Sequence, residues 1–249
     1  MKRSLFIVLT AMLIIATAVS VALAASGPTA DAYVRSTSTG TNYGTDVYLS
    51  LYTNGSGCTS QDYSYLKFDL SSVTQTIGRA TLTLTTGASP SSVIAGTKVS
   101  LYPVADDGWI ESGVGSITYA NAPVVGTELL AVDAPTINNQ AVVFGSNLVS
   151  TALSTYLQTE AQGDKVASFA VKLTGACNAT TTGVRFASKE NVTVGNRPSL
   201  ALFTPTAVTM STFRSPDPAV NWPLIIGLGA LAAVVTGGLA VTRRRAAGR

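Results

Sequence analysis

Short segments in which apolar and polar residues alternate recur through the middle of this chain, and they constrain its fold more than any other feature. In one of them, Leu66, Phe68 and Leu70 alternate with more polar residues, as in a strand that buries one face. Glycine, proline and asparagine separate the segments, which favours turns between antiparallel strands. The pattern predicts an all-β fold, an antiparallel jelly-roll β-sandwich. The predicted strands are 30–36, 47–52, 65–70, 80–86, 98–102, 141–144, 167–173, 184–187 and 200–203.

The N-terminus has the pattern of an export signal. Lys2 and Arg3 precede a run without charge, 5–21, which ends at the small-residue site Ala22-Leu23-Ala24. This arrangement is typical of a secretory signal peptide, here 1–24, that is removed from the mature protein. The alternative is an uncleaved anchor helix, which the small residues at the end of the run disfavour.

A second uncharged run, 222–242, lies near the C-terminus and is long enough to cross a bilayer as a helix. Trp222 begins it, and three arginines, 243–245, follow it, which predicts a cytoplasmic tail at 243–249. We expect one extracellular domain, 25–204, a linker, 205–221, and a single anchoring helix in the cell membrane. The alternatives are a buried core helix or a sorting tail that is removed after export.

Charge argues against a nucleic-acid partner. The chain has 16 Lys and Arg residues against 13 Asp and Glu, but six of the basic residues lie in the predicted signal peptide and tail. The part expected outside the cell therefore carries ten basic and thirteen acidic residues, a balance of about −3. A strongly basic surface, which nucleic-acid binding requires, is missing from this sequence.

Histidine is absent and cysteine occurs twice. The lack of histidine excludes Ser-His-Asp and Cys-His catalysis and every histidine-based metal site. In an exported chain, Cys58 and Cys177 are expected to form a disulfide, with two free thiols as the less common alternative.

Seven short motifs recur in this chain in a characteristic order and spacing. They are 31–35, 42–45, 65–70, 103–111, 117–123, 186–190 and 196–198. In these motifs the chain resembles the DNRLRE-domain proteins, which include the family 96 carbohydrate-binding modules. The resemblance implies a jelly-roll sandwich that binds polysaccharide, anionic sugars such as alginate among them, and is not itself catalytic. Tyr119 stands where the family usually has tryptophan, and Lys189 where it usually has arginine.

Tyrosine and basic residues on the polar faces of the predicted strands are the candidate binding residues. Tyrosine rings stack on sugars, and basic groups pair with uronate carboxylates. If these side chains share one face, that face suits an acidic polysaccharide, whereas an ordinary solvated face is the alternative. The candidates are Arg35, Lys67, Arg185, Lys189 and Tyr65.

Asp106, Asp107 and Glu111 form the densest acidic group, and such oxygen ligands could hold a structural Ca²⁺. The alternatives are an ordinary turn or, less favoured, an acid/base pair for glycoside cleavage. Trp109, within this group, is expected to anchor a long loop over the core.

The sequence thus predicts a non-catalytic, membrane-anchored polysaccharide-binding module on the cell surface. A structural or adhesive envelope protein without sugar affinity is the alternative, and a polysaccharide-degrading enzyme is the least favoured.

Overall fold

A computed structural model describes residues 22–54, 59–88, 90, 93–176 and 182–205. In these residues the chain forms eleven strands, one α-helix and a short 3-10 turn at Val194–Asn196. All nine strands predicted from alternation are present, and β1 and β7 are additional. The strands are β1 (Ala22–Ser26), β2 (Ala30–Arg35), β3 (Tyr48–Asn54), β4 (Ser60–Asp69), β5 (Arg79–Thr85), β6 (Thr97–Val104), β7 (Leu130–Asp133), β8 (Ala141–Ser146), β9 (Val166–Gly175), β10 (Thr182–Ala187) and β11 (Ser199–Phe203), and α1 is Ala152–Gln162.

The strands form two antiparallel sheets. The four-stranded sheet has the order β1-β11-β5-β8, and the seven-stranded sheet has the order β10-β3-β4-β9-β6-β7, with β2 paired to β4. A single bridge, Thr86 to Phe186, links the end of β5 to β10. This arrangement is consistent with a β-sandwich, which confirms the predicted all-β class, while the jelly-roll connectivity stays a prediction.

The main core lies between the two sheets and beneath α1. Phe169 is its centre, with its ring centroid 6.1 Å from that of Phe68 and 5.3 Å from that of Tyr156. Leu153 and Leu157 of α1 are completely buried in the same cluster. The alternating apolar residues of both sheets thus have the role that their spacing predicts.

The seven-stranded sheet is buried on its outer face as well. The connection between β6 and β7, residues 105–129, folds over that face and forms a second, smaller core. Tyr65 of β4 and Trp109 and Ile117 of the connection pack there, with exposed fractions of 1%, 7% and 1%. Apolar and polar residues alternate in β4, but its outer face is covered by the β6–β7 connection and is not open to solvent.

The two predicted terminal segments lie mostly outside the described residues. β1 begins at Ala22 and so includes the last three residues of the predicted signal peptide, while the pairs of Ala25 with Ala201 and of Ser26 with Leu200 lie beyond it. The predicted membrane helix, 222–242, and its linker and tail are outside the described part. Within that part, no helix has the length and hydrophobicity that crossing a membrane requires.

Candidate functional site

An open cleft of about 460 Å³ lies where β3 and β10 meet the ends of β2 and β4. Alternate residues of the paired strands β3 and β10 face it, because Ser50 lies opposite Arg185 and Tyr52 opposite Gly183. We call this surface the arginine cleft. Five of its lining residues carry the argument below: Arg35, Ser50, Tyr52, Asp62 and Arg185.

Arg35 is held rigidly at the cleft wall. Its guanidinium Nη2 lies 3.1 Å from Asp62 Oδ2, and its Nε donates to both oxygens of the same carboxylate. The carbon of the guanidinium is 5.5 Å from the ring centroid of Tyr33 and 5.3 Å from that of Tyr43, which is cation–π distance. Ser50 Oγ donates a further hydrogen bond of 2.8 Å to Asp62, so the buried carboxylate is well satisfied.

Arg185 has a different environment in the same cleft. Its side chain is exposed, and within the described residues its guanidinium has no hydrogen bond or ion pair. Arg35 is charge-balanced by Asp62, whereas Arg185 is not balanced by any described carboxylate. Arg185 therefore gives the cleft its net positive charge, in a domain that is acidic as a whole.

A second polar group joins three distant parts of the chain around Asp31, and we call it the Asp31 junction: Asp31, Glu111, Lys189 and Glu190. The backbone N–H of Asp31 donates to Glu111 Oε1 at 2.8 Å, and the backbone N–H of Lys189 donates to Asp31 Oδ2 at 2.7 Å. The Lys189 ammonium lies 3.0 Å from Glu111 Oε2 and 2.5 Å from Glu190 Oε1. The junction thus ties β2, the β6–β7 connection and the segment after β10 together.

The backbone around Glu111 is fixed from the other side by the loop after β2. Asn42 Nδ2 donates to the carbonyl oxygens of Glu111 and Ile117 at 2.7 and 2.8 Å. Gly44 packs so closely that a Cβ there would overlap the Glu111 carbonyl group. Gly44 is therefore required, because only a residue without a side chain lets its backbone approach that of Glu111 so closely.

Burial changes the protonation of the junction. Asp31 is 1% exposed, and this burial, with Glu190 and Glu111 nearby, raises its pKa from 3.8 to about 8 despite the hydrogen bond from Lys189. For Lys189, burial lowers the pKa, but the carboxylates of Glu190 and Glu111 outweigh it, so the pKa lies above its ordinary value.

Two predicted binding residues, Lys67 and Tyr65, contact the β6–β7 connection. The Lys67 ammonium donates to the carbonyl oxygens of Asp107 and Trp109, each at 2.6 Å, and lies 4.5 Å from the Trp109 ring centroid. Tyr65 is 1% exposed and donates its hydroxyl to Pro123 O. Tyr65 therefore does not lie on an open face, while the binding role of the partly exposed Lys67 stays a prediction.

The predicted calcium group divides into separate environments. Asp106 Oδ1 accepts the backbone N–H of Gly108 in a turn. Asp107 lies with Glu160 and Asp164, whereas Glu111 belongs to the Asp31 junction. The three residues of the sequence prediction therefore do not share one site.

Of two further sequence predictions, the structure tests the one for Trp109 and does not test the disulfide. Trp109 is 7% exposed and its indole N–H donates to Ser168 Oγ at 3.3 Å, which confirms its anchoring role. Cys58 and Cys177 lie outside the described residues, so their disulfide stays a prediction.

A tyrosine cluster at the open end of the outer sheet face was not among the predicted site residues. Lys172 Nζ lies 4.1 Å from the ring centroid of Tyr63 and 5.4 Å from that of Tyr102, and the rings of Tyr63 and Tyr119 are 5.9 Å apart. Burial lowers the pKa of Lys172. We call these four residues the tyrosine ledge. Alternation places Tyr102 and Lys172 on polar strand faces, but their meeting depends on the register of β6, β9 and β4.

The described residues form a fold consistent with a β-sandwich, with an open cleft that Arg35 and Arg185 line. The family model of carbohydrate-binding module family 96 matches residues 22–204, which span all the strands described above. The chain therefore belongs to carbohydrate-binding module family 96, and the resemblance seen in its motifs is confirmed. No curated protein matched the chain.

The close packing of Gly44 against Glu111 predicts that Gly44→Ala lowers the free energy of unfolding by about 1–3 kcal/mol, as overpacking does. Gly40→Ala is the matched control, because a Cβ at Gly40 has no atom within 4 Å. Urea denaturation of both variants measures the effect. Equal stability of the two variants would contradict the close packing.

The raised pKa of Asp31 predicts a pH-dependent stability. The folded state keeps the Asp31 proton up to about pH 8, whereas the unfolded chain releases it near its ordinary pKa of 3.8. The folded state binds more protons between these values, so the free energy of unfolding falls as the pH rises through this window. Urea denaturation in chelating buffer measures the free energy of unfolding at several pH values between about pH 5 and pH 8. This free energy should fall less steeply with pH in Asp31→Asn than in the unmodified protein.

Asp133→Asn is the control for this experiment, because the Asp133 carboxylate is exposed on β7. In Asp133→Asn, the free energy of unfolding should change with pH as it does in the unmodified protein. If the free energy of unfolding of Asp31→Asn depends on pH as that of the unmodified protein does, Asp31 does not hold the proton.

Proposed function

We propose that this protein is a non-catalytic polysaccharide-binding module whose ligand is an acidic glycan held in the arginine cleft. Membership of a carbohydrate-binding family supports the ligand class. The observation that supports the site is the exposed Arg185 guanidinium, which has no partner in the described chain and lines the cleft beside Arg35.

The chemistry of the cleft suits a uronate. A guanidinium presents parallel N–H donors that match both oxygens of a carboxylate, and such charge-assisted pairs are stronger than neutral hydrogen bonds. Tyr52 lines the same cleft and offers a ring face for contact with the sugar. Arg35 cannot move away without leaving the buried Asp62 carboxylate unpaired, so it forms a fixed wall.

The acidic lining of the cleft suits the binding of a glycan and not its hydrolysis. Asp62 is the one acidic residue among its described lining residues, and it is 2% exposed and already bonded to Arg35 and Ser50. Glycoside cleavage ordinarily needs two carboxylates on either side of the bond. The cleft therefore lacks the usual acid/base pair within the described part of the chain.

Arg185→Ala should weaken binding of the full chain to a polyuronate about 10- to 100-fold, the effect of losing one charge-assisted contact. Isothermal titration calorimetry at two salt concentrations, with a neutral glucan for comparison, measures this loss. Lys98→Ala removes an exposed charge paired with Asp133 outside the cleft and should leave the affinity unchanged.

Lys172→Ala tests the tyrosine ledge as the rival surface. Loss of binding in this variant, with full binding in Arg185→Ala, would assign the glycan to the ledge and contradict the cleft. A folded protein that binds none of the glycans would leave a structural or adhesive role in the cell envelope.

We also propose that the module is displayed outside the cell and held by the apolar segment 222–242. The uncharged run and the three arginines that follow it support this placement. In the host cell, the full chain should fractionate with membranes and be accessible to added protease, and a chain ending at Asn221 should appear in the medium. Membrane retention of the shortened chain would contradict the anchor.

A further inference from the structure

Two carboxylate oxygens of the Asp31 junction are buried and have no hydrogen-bond donor among the described residues. They are Asp31 Oδ1 and Glu190 Oε2. An ionised carboxylate oxygen can only accept, so these two atoms satisfy each other only when one of the carboxyl groups carries a proton. Burial without a partner is costly for a polar group, and more so for a charged one.

These oxygens belong to a converging set. One oxygen from each of Asp31, Glu111 and Glu190 lies within 4.8 Å of the others. The three residues come from β2, the β6–β7 connection and the segment after β10, so the fold, not the local sequence, brings them together.

Lys189 does not balance this group. Its ammonium lies against Glu111 Oε2 and Glu190 Oε1, which are not the unpartnered atoms. Three carboxylates and one ammonium leave a formal charge of about −2 when all are ionised, the charge that one divalent cation would neutralise.

We propose that Asp31, Glu111 and Glu190 bind one divalent cation of the calcium type, with Asp31 Oδ1 and Glu190 Oε2 as direct ligands. This site lies beyond the arginine cleft and does not depend on the glycan proposal. The ligands are all hard oxygens, which suit Ca²⁺ and not softer metals. Ca²⁺ also accepts irregular geometry and completes its shell with water or carbonyl groups, whereas Mg²⁺ requires a nearly ideal octahedron.

The second acidic group, Asp107, Glu160 and Asp164, serves as an internal control. Its oxygens are equally close together, but Asp164 is exposed and Asp107 and Glu160 are partly exposed. Asp107 Oδ1 also has no partner among the described residues, but water can hydrate the exposed Asp164 carboxylate, and the group lacks a fully buried residue such as Asp31.

Thermal unfolding of the full chain, first in chelator and then with increasing CaCl₂ at neutral pH, tests the site. The unfolding temperature should rise saturably, by about 5–10 °C at a Ca²⁺ concentration 100 times the dissociation constant. MgCl₂ at equal concentration should raise it less. Calorimetric titration with CaCl₂ should detect one site per chain.

Asp31→Asn and Glu190→Gln should each abolish the rise in unfolding temperature on addition of Ca²⁺. Glu160→Gln should retain this rise. Both amides keep the shape of the side chain, and the one at position 31 can still accept from the Lys189 N–H, so folding is expected. In chelator, Asp31→Asn should be at least as stable as the unmodified protein, because it removes a buried acid from a repulsive group.

Absence of a Ca²⁺ response in the unmodified protein would overturn the proposal and leave a proton shared between Asp31 and Glu190. A response that Asp31→Asn retains and Glu160→Gln loses would also overturn it, and would assign the ion to the second acidic group.

Discussion

The buried carboxylate of Asp31 is the constraint around which the rest of this domain is arranged. Placing an acid in the interior is unfavourable unless donors or a cation satisfy it, so its surroundings cannot vary freely. The Asp31 carboxylate accepts from the backbone N–H of Lys189, 158 residues away, and the Asp31 backbone N–H donates to the carboxylate of Glu111, 80 residues away. One group therefore fixes the first strand of the seven-stranded sheet, the long connection over its outer face and the segment after β10.

The hydrogen bonds of the Asp31 junction also explain why the outer face of the seven-stranded sheet is covered. Glu111 belongs to the β6–β7 connection, and its anchoring holds Trp109, two residues earlier, against β4 and β9. Lys67 then meets two backbone carbonyl groups where an open face would have left it in water. The same connection leaves the tyrosine ledge at its margin, where sheet residues stay partly exposed.

Period-two alternation was enough to predict nine strands and the all-β class, because a strand with one face in the main core needs apolar residues at every second position. The same rule misassigned Tyr65, since it assumes that the second face meets solvent. The grouping of Asp106, Asp107 and Glu111 failed because residues adjacent in a loop point into different environments. Asp31, Glu111 and Glu190 meet only through the tertiary fold, although each lies in a motif that carried the family resemblance.

The junction and the arginine cleft draw residues from the same two parts of the chain. Arg35 lies four residues after Asp31 on β2, and these extended residues span about 13 Å. Arg185 lies on β10, which ends at Ala187, and Lys189 follows in a turn. The hydrogen bond from the Lys189 N–H to Asp31 Oδ2 therefore joins the chain segment that follows β10 to the start of β2.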